Sequence, residues 1–334
     1  VPDLRFPEFS GEWVETELQD IVPNICSGKD RISNSGEVAL YGSTGVIGRT
    51  NSASYKENIV LVARVGANAG QMQIGNAPCG VTDNTLVIDA KEWNYYIYYF
   101  LQHYNLNRLV FGSGQPLITG GMLKRIKVRY GCKAERNNIT RLLCLIDERI
   151  ATQNKIIEKL ESLIKGIADK LFQTARETKL LLELAPNITS GTDKNGSGTI
   201  PLYGSTGIIG KVKNASQKGN IVLVARVGTI GTVQYVKEPC GVSDNALIVE
   251  AGEMTKYIYH FLKTYKFAHI TSGTTQPLIT ASSLKKIAVP KNDIERQTQI
   301  VLCLNILERK LDIEKQYLSD IAMMKQYLLH QMFI

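Results

Sequence analysis

No pair of the six cysteines stands at CxxC spacing, and the four histidines are scattered. Zinc ligands recur at short fixed spacings, so a metal site is not expected. The thiols read as reduced, in a cytoplasmic protein. No apolar run approaches the ~20 residues of a membrane span. No secretory signal is visible in the first residues. Catalytic signatures are missing as well. The segment Gly204–Lys211 is Gly-rich, but its outer glycines stand six apart where a phosphate loop needs five, and Val212 follows the lysine. No GxGxxG follows a strand pattern. No Ser/His/Asp arrangement carries a signature, and no Asn-Pro-Pro-aromatic motif of an amino-methyltransferase occurs. The chain is expected to catalyse nothing and to hold no cofactor of its own.

Two stretches lack proline almost by definition of what they are. Ile139 to about Arg176 has none and a single glycine, Gly166; Asp293 to the end has neither residue. In the first, Leu143, Ile146, Ile150, Ile157, Leu160, Ile164, Ile167 and Leu171 recur at steps of three and four, broken only by Gln153. In the second, Leu304, Leu307, Leu311, Leu318, Ile321, Leu328 and Met332 keep the same rhythm, interrupted by Glu314 and Lys325. Such heptad seams predict two long helices that need partners. At ~1.5 Å per residue the first is about 55 Å long. Two long helices inside one globular core are the blander reading, disfavoured because ordinary helices run ~10–14 residues.

What is abundant is repetition. Leu40-Tyr41-Gly42-Ser43-Thr44-Gly45-Val46-Ile47-Gly48 returns as Leu202-Tyr203-Gly204-Ser205-Thr206-Gly207-Ile208-Ile209-Gly210. Asn58–Gly66 returns unchanged as Asn220–Gly228, again 162 positions on. Cys79-Gly80-Val81-Thr82-Asp83-Asn84 matches Cys240-Gly241-Val242-Ser243-Asp244-Asn245, and Gln115–Thr119 matches Gln276–Thr280. Glu135-Arg136 pairs with Glu295-Arg296 at the helix starts. A fixed-offset repeat of this length means one structural unit written twice. The expected order is a domain over 1–138, a helix over 139–178, a domain over 179–292 and a helix over 293–334.

Within each domain the β-branched runs Asn58–Val65 and Asn220–Val227 read as buried strands, as do Leu86–Ile88 and Leu247–Val249. One helix is expected around Trp93–Tyr104 and Thr255–Tyr265, with Tyr98, Phe100, Tyr104 and Tyr259, Phe261, Tyr265 as core. The fold class is α+β: two similar, mixed β-rich domains separated by two long antiparallel helices forming a coiled coil. Compact domains keep their termini close, so the cheapest closure runs the second helix back along the first. The domains then sit at opposite ends of a rod.

The net charge of +8 and a pI near 9.0 favour a polyanionic partner. Two similar domains at fixed separation suit a long repeating polyanion such as duplex DNA. At this point the sequence resembles the specificity subunits of type I restriction–modification enzymes. Pro2-Asp3-Leu4-Arg5-Phe6-Pro7 with Gly11-Glu12-Trp13, Tyr41-Gly42, Ala63–Gly66, Ser113-Gly114-Gln115-Pro116 and Leu123-Lys124 carry the resemblance, over essentially the whole chain. The chain departs from the family in keeping only Pro290 of a Pro-rich stretch and Glu-Arg where Glu-Gln often precedes each helix. The resemblance implies target-recognition domains that each read half of a split DNA site, and helices that set the spacing. It implies partners too: double-stranded DNA, two methyltransferase subunits that bind S-adenosylmethionine, and restriction subunits that use ATP and Mg. A non-DNA coiled-coil adaptor is the alternative.

The repeat then sorts candidate contacts. Segments identical in both copies cannot distinguish two half-sites, so they hold the framework or bind phosphates, which carry no sequence information. Arg64, Arg226, Arg49 and Lys211 are the candidate phosphate contacts; a structural ion pair is the equal alternative for Arg64 and Arg226. Base readout is expected where the copies diverge, 50–56 against 211–218 and 68–73 against 229–234. The candidates there are Ser54, Tyr55, Lys56, Gln71, Gln73, Lys213, Asn214 and Gln234. Leu142, Ile156 and Leu163 form a second apolar line beside the first seam, expected to dock the methyltransferase.

Overall fold

The computed structural model describes residues 1–110, 116–272 and 277–334. The chain divides into two compact units, one made of Val1–Asn154 with Gln316–Ile334, the other of Lys155–Lys315.

The first unit opens with β1 (Val14–Glu17), α1 (Leu18–Ile21) and β2 (Ile25–Ser27), followed by β3 (Val38–Gly42), β4 (Gly45–Thr50), β5 (Ile59–Ala63), β6 (Met72–Gly75), β7 (Cys79–Val81) and β8 (Thr85–Ile88). Then come α2 (Asn94–Tyr104), α3 (Gly120–Lys124), β9 (Lys127–Tyr130) and the first part of α4 (Lys133–Gln173). One sheet has the order β2-β8-β5-β6 and another β4-β3-β7, while β1 pairs with β9. The reason lies in β5. All five of its residues are buried, so it has no solvent face and must be covered twice. Val60 and Val62 pack with Tyr96, Ile97 and Phe100 of α2. Ile59 and Leu61 face the other way, against Tyr41, Cys79 and Val81 of the smaller sheet.

The second unit repeats this plan. It contains β10 (Glu177–Leu180), α5 (Leu181–Leu184), β11 (Ile188–Ser190), β12 (Ile200–Tyr203), β13 (Ile208–Val212), β14 (Ile221–Ala225), β15 (Val233–Val236), β16 (Gly241–Val242) and β17 (Ala246–Val249). It ends with α6 (Thr255–Thr264), α7 (Ala281–Lys285), β18 (Ala288–Lys291) and the first part of α8 (Ile294–Met332). The orders β11-β17-β14-β15 and β13-β12-β16 match those of the first unit strand for strand. Phe261 is buried, and Tyr259 and Tyr265 pack on the same core, as the framework reading of these aromatics requires.

In each unit the two long helices meet antiparallel. In the first, Ile139 and Leu143 share a core with Leu329, Met332 and Phe333. Further along, Asp147 pairs with Lys325 at 2.7 Å and the Arg149 guanidinium lies over the Tyr317 ring. In the second, Ala168 and Phe172 pack with Ile300 and Leu304, and Glu161 pairs with Lys315 at 2.6 Å. The seam positions are buried or half-buried throughout, and Gln153, which breaks the pattern in sequence, is itself buried.

The helix bounds differ from the expected ones. α4 begins at Lys133, six residues before Ile139, because Glu135 is fully buried and held by Arg5 through two bonds of 2.6 and 2.8 Å. Arg136 lies 3.4 Å from the centre of the Trp93 ring. The helix stops at Gln173, not 178, since Glu177–Leu180 is a strand paired with β18. α8 starts one residue after Asp293, whose carboxylate accepts the Arg296 N–H at 2.7 Å as an N-cap. The Glu-Arg match at the helix starts is one position out of register. Ile139 and Leu143 correspond to Ile300 and Leu304, all buried, which places Arg296 opposite Glu135.

Candidate nucleic-acid interface

The segments that the two copies share come together at one edge of each unit. In the first, the Arg64 N–H donates to Asn84 O at 2.9 Å, and Arg64 O accepts the Ile118 N–H at 2.9 Å. The Gly66 N–H donates to Pro116 O at 3.0 Å. Ser43 Oγ donates to Asn84 O at 3.2 Å, which ties the β3–β4 turn to the same point. In the second unit the Arg226 N–H donates to Asn245 O at 2.9 Å and the Ile279 N–H to Arg226 O at 3.1 Å. Gly66 (φ +80°) and Gly228 (φ +74°) take the left-handed conformation that turns the chain just after each arginine. Gln115 and Gln276, and Ser113-Gly114, lie outside the described residues.

The two guanidinium groups are half-buried within this frame. Arg64 Nη1 donates to Ser27 Oγ at 3.2 Å. Arg226 Nε is enclosed with no hydrogen-bond partner among the described residues. Neither arginine makes an ion pair among the described residues, so the ion-pair alternative finds no carboxylate. A half-buried cation with an orphaned donor suits an anion arriving from outside.

The candidate readout residues separate into two groups. Four are committed to the frame. Gln73 Nε2 donates to Gly42 O at 2.7 Å, and Gln234 Nε2 to Gly204 O and Ser205 O at 3.0 and 3.1 Å. Both amides therefore brace the β-hairpin turns. Ser54 Oγ donates to Asp30 Oδ1 at 2.6 Å, while Asp30 Oδ2 accepts the Val81 N–H at 2.8 Å. Ser216 makes the same bond to Asp193 in the second unit. Tyr55 exchanges two backbone bonds of 3.0 Å with Cys79, and burial pushes its hydroxyl up to about 12. Its counterpart Gln217 bridges to Cys240 in the same way. The other four, Lys56, Gln71, Lys213 and Asn214, are exposed. So are Arg49, which donates to Glu37 O at 2.6 Å, and Lys211.

Asp30 and Asp193 are not among the sequence candidates, yet a signal exists. Ser27-Gly28-Lys29-Asp30 returns as Ser190-Gly191-Thr192-Asp193. On the helices, Leu142 is half-buried and packs on the core of the first unit, so it is no part of an open flank. Ile156 and Leu163 are 40% and 60% exposed. They belong to a stripe that is itself repeated: exposed Leu145, Ile156 and Leu163 on α4 correspond to exposed Ile306, Tyr317 and Met324 on α8. Among the described residues there is no cluster of metal ligands and no helix long and apolar enough to cross a membrane.

The family model for the type I restriction modification DNA specificity domain matches residues 10–162 and 181–323. A putative type I specificity subunit of Mycoplasma genitalium is 24% identical, over 99% of this chain and 92% of its own length. A type I restriction enzyme specificity subunit of Methanocaldococcus jannaschii is 30% identical over 51% of this chain and 43% of its own. The crystal structure of the S subunit from M. genitalium superposes with a TM-score of 0.70 at 19% identity, covering 100% of this chain and 99% of that one. A chain from a structure described as the basis of complex assembly and conformational transition of the type I R-M system gives 0.56 at 13% identity, covering 98% of each. With its family model matched in both halves and its fold shared, the chain belongs to the type I restriction–modification DNA specificity family, a non-catalytic DNA-recognition component.

Proposed function

We propose that each unit reads one half of a split duplex target and that the long helices fix the spacing between the halves. The recognition domains run up to the start of α4 and from β10 to the start of α8, with the helices as spacer. One observation carries this reading. The residues common to both copies build a bonded frame around an arginine that has no carboxylate partner among the described residues, beside exposed polar side chains that differ between copies. The frame supplies affinity through phosphates, and the divergent side chains supply sequence.

The exposed stripe on each helix docks one methyltransferase subunit, and its recurrence at the same helix positions accounts for two copies of one partner. Those subunits hold S-adenosylmethionine. Restriction subunits, with ATP and Mg, complete the assembly in the cytoplasm. This chain contributes recognition alone.

Binding to duplex DNA, measured across salt concentrations on the assembly with methyltransferase, tests the reading. The parent's log affinity falls linearly with log salt. Arg226→Ala weakens binding to all sequences alike and reduces the slope by about one. An unchanged slope removes Arg226 from the phosphate contacts, and a parent with no salt-dependent binding removes the reading.

A further inference from the structure

One feature of the hairpins serves neither the frame nor the polar readout. At the tip of β3–β4, Val46 and Ile47 are 58% and 47% exposed; at the tip of β12–β13, Ile208 and Ile209 are 63% and 50% exposed. Both copies therefore show water an aliphatic pair at the same register. The pair is held firmly. A side chain at Gly42 would meet Ile47 Cγ2 at 2.9 Å, and one at Gly204 would meet Ile209 Cγ2 at 2.8 Å. Each isoleucine thus lies flat across a glycine whose carbonyl is in turn gripped by Gln73 or Gln234. The turns adjoin the arginine loops. Ser43 bonds the carbonyl that also receives the Arg64 N–H, and Ser205 Oγ lies 4.0 Å from the Cβ position of Gly228.

We propose that these aliphatic pairs are nonpolar DNA contacts, one per half-site, seated against thymine methyl groups and sugar carbons of a groove. The inference rests on the DNA reading above. Charge argues for nucleic acid over an apolar protein face. Arg49 and Lys211 follow Ile47 and Ile209 by two residues on the same strands, just past a bulge in each hairpin, and both cations are exposed. An aliphatic side chain followed two residues later by a cation fits a groove wall edged by phosphates. The nonpolar part contributes through area removed from water and releases no counterions.

The salt series separates the two contributions. Ile208→Thr with Ile209→Thr keeps the β-branched shape that suits a strand and replaces an ethyl group by hydroxyl at each position. In the assembly with methyltransferase it lowers duplex affinity about tenfold at every salt concentration, the order expected for two partly exposed isoleucines, with the slope unchanged. Lys211→Ala lowers the slope instead. If the double variant melts early, Ile208→Thr alone gives the same readout with a smaller drop. Parent-like affinity overturns the proposal while the parent's own salt dependence keeps the DNA reading intact. A changed slope overturns it too, as does loss of methyltransferase co-purification with DNA binding retained, which marks the pair as a protein contact.

Discussion

Ile157→Asp is expected to destabilise the protein by several kcal/mol, a large fraction of the stability of a typical domain. Ile157 is 8% exposed in the helix seam. A carboxylate there is either buried without a partner or held protonated, and both cost free energy on the scale of the ~5–15 kcal/mol that stabilises a typical domain. The sign with pH follows. Burial raises the aspartate pKa in the folded state above its unfolded value. The deficit is therefore full at neutral pH and shrinks as pH falls toward the usual carboxylate range. Leu163→Lys, six residues further on and 60% exposed, is the contrasting case. It changes stability by no more than ~0.5 kcal/mol but weakens assembly with the methyltransferase. Denaturant unfolding at two pH values and co-purification measure both. If Ile157→Asp unfolds like the parent, the seam is wrongly assigned; unchanged assembly of Leu163→Lys removes the stripe from the docking surface.

Exchanging the divergent segments is expected to move sequence preference as a block. Residues 50–56 and 68–73 placed at 211–218 and 229–234 should turn the second half-site toward the first, as read by mapping methylated adenines in a genome carrying the complex. The exchange is structurally mild. Ser54 replaces Ser216 at the aspartate, Gln73 replaces Gln234 under the turn, and Tyr55 inherits the bridge that Gln217 makes. What changes at the surface is Asn51 and Ser52 in place of Lys213 and Asn214, and Gln71 in place of Thr232, while Lys56 meets a lysine at Lys218. Each mismatched base pair typically costs ~1–3 kcal/mol, so two or three altered contacts suffice to abolish the old half-site. An unchanged methylated sequence after the exchange, together with an altered one in Arg64→Ala, means that frame and readout have been assigned the wrong way round.

Much of this is legible in the sequence because the information is local or duplicated. The apolar run of β5 needs cover on both faces whatever its neighbours are, and the seams of α4 and α8 announce their own period. The repeat let each domain vouch for the other. What could not be read depended on distant partners. Glu177–Leu180 has no strand pattern of its own and exists as β10 through its pairing with Ala288–Lys291. Gln73 looks like a base reader by residue type, and only the carbonyl of Gly42, far along the chain, shows where its amide goes. Leu142 sits on the outer side of the seam by spacing, yet the domain core closes over that end of the helix.

The two units differ in how the chain supplies them. The second is continuous, Lys155 to Lys315, and every side chain of its core is made in one pass. The first is interrupted: Tyr96 and Phe100 of α2 pack against Phe333, and the Leu4 N–H donates to Gln331 O. Domains usually fold in the order in which they are synthesised. Here the residues of the second unit are all made before those that complete the first. At ~5–20 residues per second the ribosome leaves the first unit with part of its core facing water for on the order of ten to forty seconds, while the second can close first. A chain cut short between Lys315 and Phe333 would have a complete later half, while its earlier half still shows the aromatic surface that Phe333 was to cover, the kind of surface that chaperones and proteases recognise.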